Sequence, residues 1–268
     1  MRSVVGLFSS VLHVRDSPRE KLLPALDAIM RDAGFSRAQT LPVPAQGPYA
    51  LSDHEASASA RPYYLVSRLH GRWLTMIQAQ FAIDGAPQLS VLSNRISGAL
   101  SCYALALDVH DDDLFLYSLD RVGNSLVGYN SCPQYFEQER IPDDQVERQR
   151  HSLEPFDALL PAGRSLDELR SLLNRGWWNA YNSGGLDENG VVRGEDDGFV
   201  FEGDRMTAFG TLLQLHGNQG EYPYAAWGVS DGIAWPEFVA LRYRNRTPPP
   251  EGTSEFAERK WRGERGRG

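Results

Sequence analysis

The chain of 268 residues has only two cysteines, Cys102 and Cys132. Two cysteines are too few for a disulfide-stabilised scaffold or for a zinc site built from four thiolates. No apolar run approaches the roughly 20 residues that a membrane-spanning helix requires, which excludes integral membrane classes. The remaining possibility is a globular chain with 41% hydrophobic residues, long enough to bury a core without such reinforcement.

The sequence also lacks several short motifs that mark catalytic and nucleotide-binding sites. It contains no G-x-x-x-x-G-K-[ST] phosphate loop, no G-x-G-x-x-G, no H-E-x-x-H and no C-x-x-C. The six histidines are scattered at spacings that indicate no metal site. We therefore expect no cofactor, and the sequence gives little support to catalysis.

Charge is unevenly distributed along the chain. The formal net charge is −8, yet residues 245–268 contain six basic and four acidic side chains, so the rest carries about −10. An acidic body repels phosphate backbones, so its charge disfavours a nucleic-acid partner. It favours a protein partner, one that carries basic residues. The Arg- and Gly-containing tail leaves an alternative open, contact with single-stranded nucleic acid.

A short apolar run begins the chain and includes Val4, Leu7 and Leu12. A signal peptide would need a more basic start, a longer apolar region and a small-residue cleavage site, so we interpret the run as a buried strand. With so few cysteines, this interpretation predicts the cytoplasm of a bacterium and no membrane association.

The first half of the chain has a helix–strand–strand pattern that occurs twice, over residues 17–81 and 86–130. An apolar stripe predicts each helix, and runs rich in aromatic and β-branched residues predict the strands that follow. Such units favour an α+β fold in which an antiparallel sheet carries helices on one face. We expect this sheet domain to span residues 1–133.

The second half is predicted to be a helix-bearing, aromatic-rich region over residues 150–245, either separate from the sheet domain or continuous with it. Ser165 and Glu168 form a capping box at the start of one helix, and Asp204 is a candidate cap for another. Residues 246–268 follow, charged and rich in glycine, and they are predicted to be disordered.

The densest polar cluster follows the predicted strand that ends near residue 109. Asp108 and His110 have strand parity and share one face, and the next three residues are acidic. These residues could bind a hard metal ion or activate a nucleophile, although consecutive aspartates also favour a simple turn. Cys132 is a weaker candidate nucleophile. The candidate catalytic residues are Asp108, His110, Asp111, Asp112, Asp113 and Cys132.

Aromatic side chains are frequent in the second half, and they are the second group of candidates. Aromatic residues dominate interface hot spots, yet they are equally common in cores. The candidate binding residues are Trp177, Trp178, Tyr181, Trp227 and Trp235.

One segment resembles a known group of sequences. Residues 110–119 read H-D-D-D-L-F-L-Y-S-L, and residues 129–136 read Y-N-S-C-P-Q-Y-F. This stretch of about 27 residues resembles a bacterial protein family of uncharacterised function with a D-x-D turn, a Tyr-rich strand and a Y-N-S-x-P-x-Y-F ending. The resemblance implies a structural hairpin and a bacterial source, and it implies no activity.

Taken together, these features predict a non-catalytic intracellular protein that binds or regulates a protein partner. A metal-assisted hydrolase that uses Asp108, His110 and residues 111–113 is the first alternative. Nucleic-acid binding through the tail is the second.

Overall fold

The computed structural model describes residues 9–45, 63–78, 86–110, 114–131, 152–174, 202–215 and 234–245. Their dominant feature is one sheet of eight strands in the order β2-β8-β3-β4-β1-β5-β6-β7, with antiparallel pairing throughout. The strands are β1 (Ser9–Arg15), β2 (Phe35–Pro42), β3 (Tyr63–His70), β4 (Trp73–Gln78), β5 (Tyr103–His110), β6 (Leu114–Arg121), β7 (Asn124–Asn130) and β8 (Val239–Asn245). The predicted α+β class with an antiparallel sheet is confirmed.

Two helices cover one side of this sheet, which we call the helical face. They are α1 (Arg19–Asp32) and α2 (Leu89–Leu100), the helices of the two predicted units. Their apolar stripes pack on side chains that alternate along the strands, such as Leu12 and Val14 of β1. The predicted placement of these two helices on one face is confirmed.

The opposite side, which we call the aromatic face, carries the second half of the chain. Helices α3 (Leu166–Asn174) and α4 (Glu202–Leu212) and a 3₁₀ turn (Glu154–Phe156) cover the β5–β7 end. The other end is covered by a small cluster that includes Trp235 and Phe238. The sequence analysis did not anticipate that this region would form a second layer.

The sheet contains strands from both halves of the chain. Strand β8, from the end of the described chain, lies between β2 and β3 and pairs with both. This last described strand therefore completes the same sheet as the first half.

Some local features differ from the sequence-based predictions. Strand β2 was not predicted, because five of its eight residues are exposed and it therefore lacks a clear alternation. Helix α1 begins after Pro18 without a side-chain cap. Asp204 lies inside the first turn of α4 and not at its cap. The capping box at α3 is confirmed, because the Ser165 N–H donates to Glu168 Oε2 at 2.8 Å.

Among the described residues, no helix is long and apolar enough to cross a membrane.

Candidate functional site

The predicted polar cluster begins at the end of β5, on the helical face. Asp108 and His110 are both half-buried and lie two residues apart on the same side of the strand. Ser10 of the neighbouring β1 pairs with Asp108, and its hydroxyl donates a hydrogen bond to Asp108 Oδ1 at 2.5 Å. Strand parity thus brings together the two side chains that the sequence nominated.

The protonation of Asp108 is unusual for an aspartate. Burial raises the pKa of this carboxyl to about 6, and the hydrogen bond from Ser10 opposes the rise only in part. A carboxyl with such a pKa can exchange protons near neutral pH, as a general acid or base must. The described residues include no group of three or more His, Cys, Asp or Glu side chains that could hold a metal ion.

The remaining candidates are divided between the core and segments outside the described residues. Trp235 is 7% exposed and packs on Phe238 with ring centroids 5.5 Å apart, so it belongs to the core of the aromatic face. The other candidates lie outside the described residues: Asp111, Asp112, Asp113, Cys132, Trp177, Trp178, Tyr181 and Trp227. So does the tail over residues 246–268.

No family model, curated protein or solved structure matches this chain. The resemblance of residues 110–136 to a bacterial family therefore stays a prediction. The site has to be interpreted from its own chemistry.

A buried ion pair, which sequence reasoning missed, lies under the aromatic face. Arg205 and Glu202 of α4 are each 1% exposed, and Arg205 Nε donates to Glu202 Oε2 at 2.7 Å. Arg205 also donates to the carbonyls of Leu172 and Leu173 at 3.2 and 3.0 Å, in the last turn of α3. The i, i+3 spacing of the pair was a visible signal, but its burial was not. The arginine thus joins α3 to α4, which is a structural task.

A second group of buried polar side chains lies at the centre of the aromatic face. His13, Thr75 and Ser67 are each at most 2% exposed. The His13 Nδ1 and Thr75 Oγ1 atoms are 3.2 Å apart, and Ser67 Oγ accepts a hydrogen bond from the Thr75 N–H at 2.9 Å. The serine hydroxyl donates to the Arg68 carbonyl at 2.6 Å. Ser67 is thus bonded to backbone and not to the histidine, which argues against activation as a nucleophile.

One catalytic motif falls outside the described residues. Residues 228–232 read G-V-S-D-G, which matches G-x-S-x-G. That motif acts as a nucleophile elbow at a strand-to-helix turn of an α/β-hydrolase sheet. Every strand pair of the described sheet is antiparallel, so this sheet is not of the α/β-hydrolase type.

Charge separates the described residues, which we call the framework, from the rest of the chain. The framework contains 14 Lys and Arg and 13 Asp and Glu residues. The whole chain contains 27 and 35. The acidic excess therefore belongs to the segments between framework elements, mainly residues 111–113, 132–151, 175–201 and 216–233.

Proposed function

We propose that this protein is a non-catalytic binding protein of the bacterial cytoplasm that uses its acidic connecting segments to bind a basic protein partner. The observation that carries the proposal is the charge separation between framework and connecting segments. Acidic segments beside a charge-balanced framework would attract and orient a basic surface.

The chemistry of the framework supports a binding role. Its buried ionisable groups hold the fold together: Arg205 pairs with Glu202, and the carboxylate of Asp120 accepts hydrogen bonds from Ser93 and Ser125. Groups engaged in this way are not available to a substrate.

The test compares two triple variants that change the charge equally. One replaces acids of a connecting segment, with Glu195→Gln, Asp196→Asn and Asp197→Asn. The matched control replaces exposed framework acids, with Glu154→Gln, Asp157→Asn and Asp167→Asn. Each tagged protein is used to capture partners from a lysate of the source organism, and the affinity of a captured protein is then measured by calorimetry.

We expect a stoichiometric basic partner whose affinity falls roughly tenfold with the segment variant, and again when salt rises. The framework variant should bind like the wild-type protein. Absence of a stoichiometric partner would contradict the proposal, and so would equal binding by both variants.

A second candidate function rests on the raised pKa of Asp108. We propose as the alternative a hydrolase in which Asp108 and His110, with acidic residues 111–113, act at the end of β5. Metal analysis of the purified protein and a thermal-shift series with divalent cations test it, using Asp108→Asn as the control. A cation-dependent rise in melting temperature that the variant loses would favour the hydrolase. No bound metal and no shift would rule out its metal-assisted form.

A further inference from the structure

The two edge strands of the sheet are protected to different degrees. Edge strands expose unpaired backbone groups, and proteins usually blunt them with charged residues, prolines or bulges. Strand β2 has all three devices. Arg37 is charged and pairs with Asp27 at 2.7 Å, the register shifts between Arg37 and Gln39, and the strand ends at Pro42.

Strand β7, at the other edge, carries fewer of these devices in its own sequence. Its sequence, N-S-L-V-G-Y-N, contains no charged residue and no proline. Leu126 is 38% exposed, and Asn124, Ser125 and Gly128 are exposed as well. One of these protective features is present, because the pairing with β6 shifts and leaves Leu126 as the extra residue of a β-bulge. Among the described strands, only β6 pairs with β7.

The backbone groups of Gly128 point away from β6. The Ser131 N–H donates to the Phe115 carbonyl of β6 at 2.9 Å, so the backbone groups of Ser131 point towards β6. The direction of the backbone N–H and C=O groups alternates from one residue to the next along an antiparallel strand. The backbone groups of Tyr129 and Val127 therefore also point towards β6. The N–H and C=O of Gly128 point outwards.

Glycine at position 128 is not required by the framework. Its φ is not in the left-handed region, and a Cβ would meet only the Tyr117 carbonyl oxygen, at an ordinary contact distance of 3.5 Å. By contrast, Gly123 has a φ of +77°, which the turn before β7 requires. A glycine inside a strand often marks a place where another backbone approaches closely.

We propose that β7 pairs with β7 of a second copy of this chain, antiparallel, with the two-fold axis at Gly128. The outward N–H and C=O groups of the two Gly128 residues bond to each other and join the two sheets. The axis places Val127 of one copy beside Tyr129 of the other, on the aromatic face of both.

The strand chemistry favours a second copy as the occupant. A two-fold interface must be self-complementary, because the same patch meets itself. An uncharged strand satisfies this requirement, since no like charges meet although each copy carries −8. In the register centred on Gly128, the two glycines meet each other, and Val127 of each copy meets Tyr129 of the other.

Sedimentation velocity over a concentration series of the full chain tests the proposal. Gly128→Asp places two carboxylates at the axis, and the space around Gly128 accepts the new Cβ. Gly128→Pro removes the outward N–H, which an edge strand tolerates. The matched control is Thr40→Asp, an exposed position on β2. Circular dichroism and melting temperature check that each variant folds.

We expect a concentration-dependent dimer for the wild-type protein and for Thr40→Asp, with the dissociation constant raised at least about tenfold in Gly128→Asp by the like charges at the axis. Gly128→Pro, if folded, should behave in the same way. A wild-type protein that stays monomeric at every concentration would overturn the proposal. So would a dimer that Gly128→Asp leaves unchanged, including one that assembles through another surface.

Discussion

The two faces of the sheet bury their polar groups in different ways. On the helical face, the Asp120 carboxylate, 1% exposed, accepts hydrogen bonds from Ser93 at 2.5 Å, Ser125 at 2.6 Å and Asn94 at 3.2 Å. These bonds attach α2 to the β6–β7 hairpin through neutral donors. On the aromatic face, Arg205 pairs with Glu202 within α4 and donates hydrogen bonds to two carbonyls of α3.

The apolar side chains that pack on the two faces also differ in kind. Aliphatic side chains fill most of the helical face. Rings dominate the β6–β7 end of the aromatic face, where Tyr117 lies between Tyr129 and Phe209 with centroids 5.3 and 5.2 Å apart. The comparison indicates that amphipathic helices close to their strands in sequence form one layer, whereas contacts between distant segments form the other.

The largest effect is expected from Arg205→Met on the aromatic face. The change leaves Glu202 as a buried charge without this guanidinium and removes a donor from the Leu172 and Leu173 carbonyls. Removing one partner of a buried ion pair costs about 3–5 kcal/mol of unfolding free energy. Urea denaturation measures the loss.

The double variant Arg205→Met with Glu202→Gln is the control, because it removes both charges. It should recover part of the loss. If the single variant unfolds at the urea concentration of the wild-type protein, Arg205 does not hold α3 and α4 together.

The corresponding change on the helical face is Asp120→Ala, with a smaller expected effect. Hydrogen bonds to a charged group contribute about 1.5–3 kcal/mol, and Ser93 would lose its buried acceptor. We expect a loss of about 2–3 kcal/mol in urea denaturation. Ser125→Ala, which removes one donor only, should lose about 1 kcal/mol. A smaller loss for Asp120→Ala than for Ser125→Ala would contradict the role of the carboxylate.

The helical face could largely be predicted from the sequence. The stripe of Leu22, Leu26, Ile29 and Met30 predicts α1, and all four residues are buried. Local patterns of this kind are visible because the helix period appears in the chain itself. The pairing of Asp108 with Ser10 could not be predicted, because the two residues are 98 positions apart.

The aromatic face shows why the rest could not be predicted. Tyr129 stacks on Tyr117 and its hydroxyl donates to the Leu173 carbonyl at 2.9 Å, a contact across 44 positions. No local pattern encodes such a pair. Strand β2 was missed for a related reason, since an edge strand with five of its eight residues exposed has no alternation to detect.

The third prediction concerns pH and Asp108, at the strand end of the helical face. Its folded pKa of about 6 lies above the value of about 4 in an unfolded chain, so the folded state holds the proton more tightly. The unfolding free energy contributed by this group is therefore present below pH 4 and is lost as pH rises to about 6. Asp108→Asn should remove this dependence.

Urea denaturation of the wild-type protein and of Asp108→Asn at pH 4 and pH 7 measures this pH dependence. We expect the difference between wild type and Asp108→Asn to change by about 2 kcal/mol between the two pH values. A parallel response of the two proteins would show that burial does not raise the pKa of this carboxyl.

The smallest effect, and one of opposite sign, is expected from Tyr117→Phe on the aromatic face. The Tyr117 hydroxyl is buried with no hydrogen-bond partner among the described residues, whereas the neighbouring Tyr129 hydroxyl donates to a carbonyl. Removing an unsatisfied buried hydroxyl while keeping the ring should raise the unfolding free energy by up to about 1 kcal/mol.

The matched change, Tyr129→Phe, removes a hydroxyl of the same chemistry from the adjacent strand position. It should lower the unfolding free energy by about 1 kcal/mol or more, because the Leu173 carbonyl loses a donor. Urea denaturation of the two variants gives the comparison. Equal losses for both would mean that the Tyr117 hydroxyl is bonded after all. A gain for Tyr117→Phe would show that ring stacking holds the β6–β7 end of this face without help from that hydroxyl.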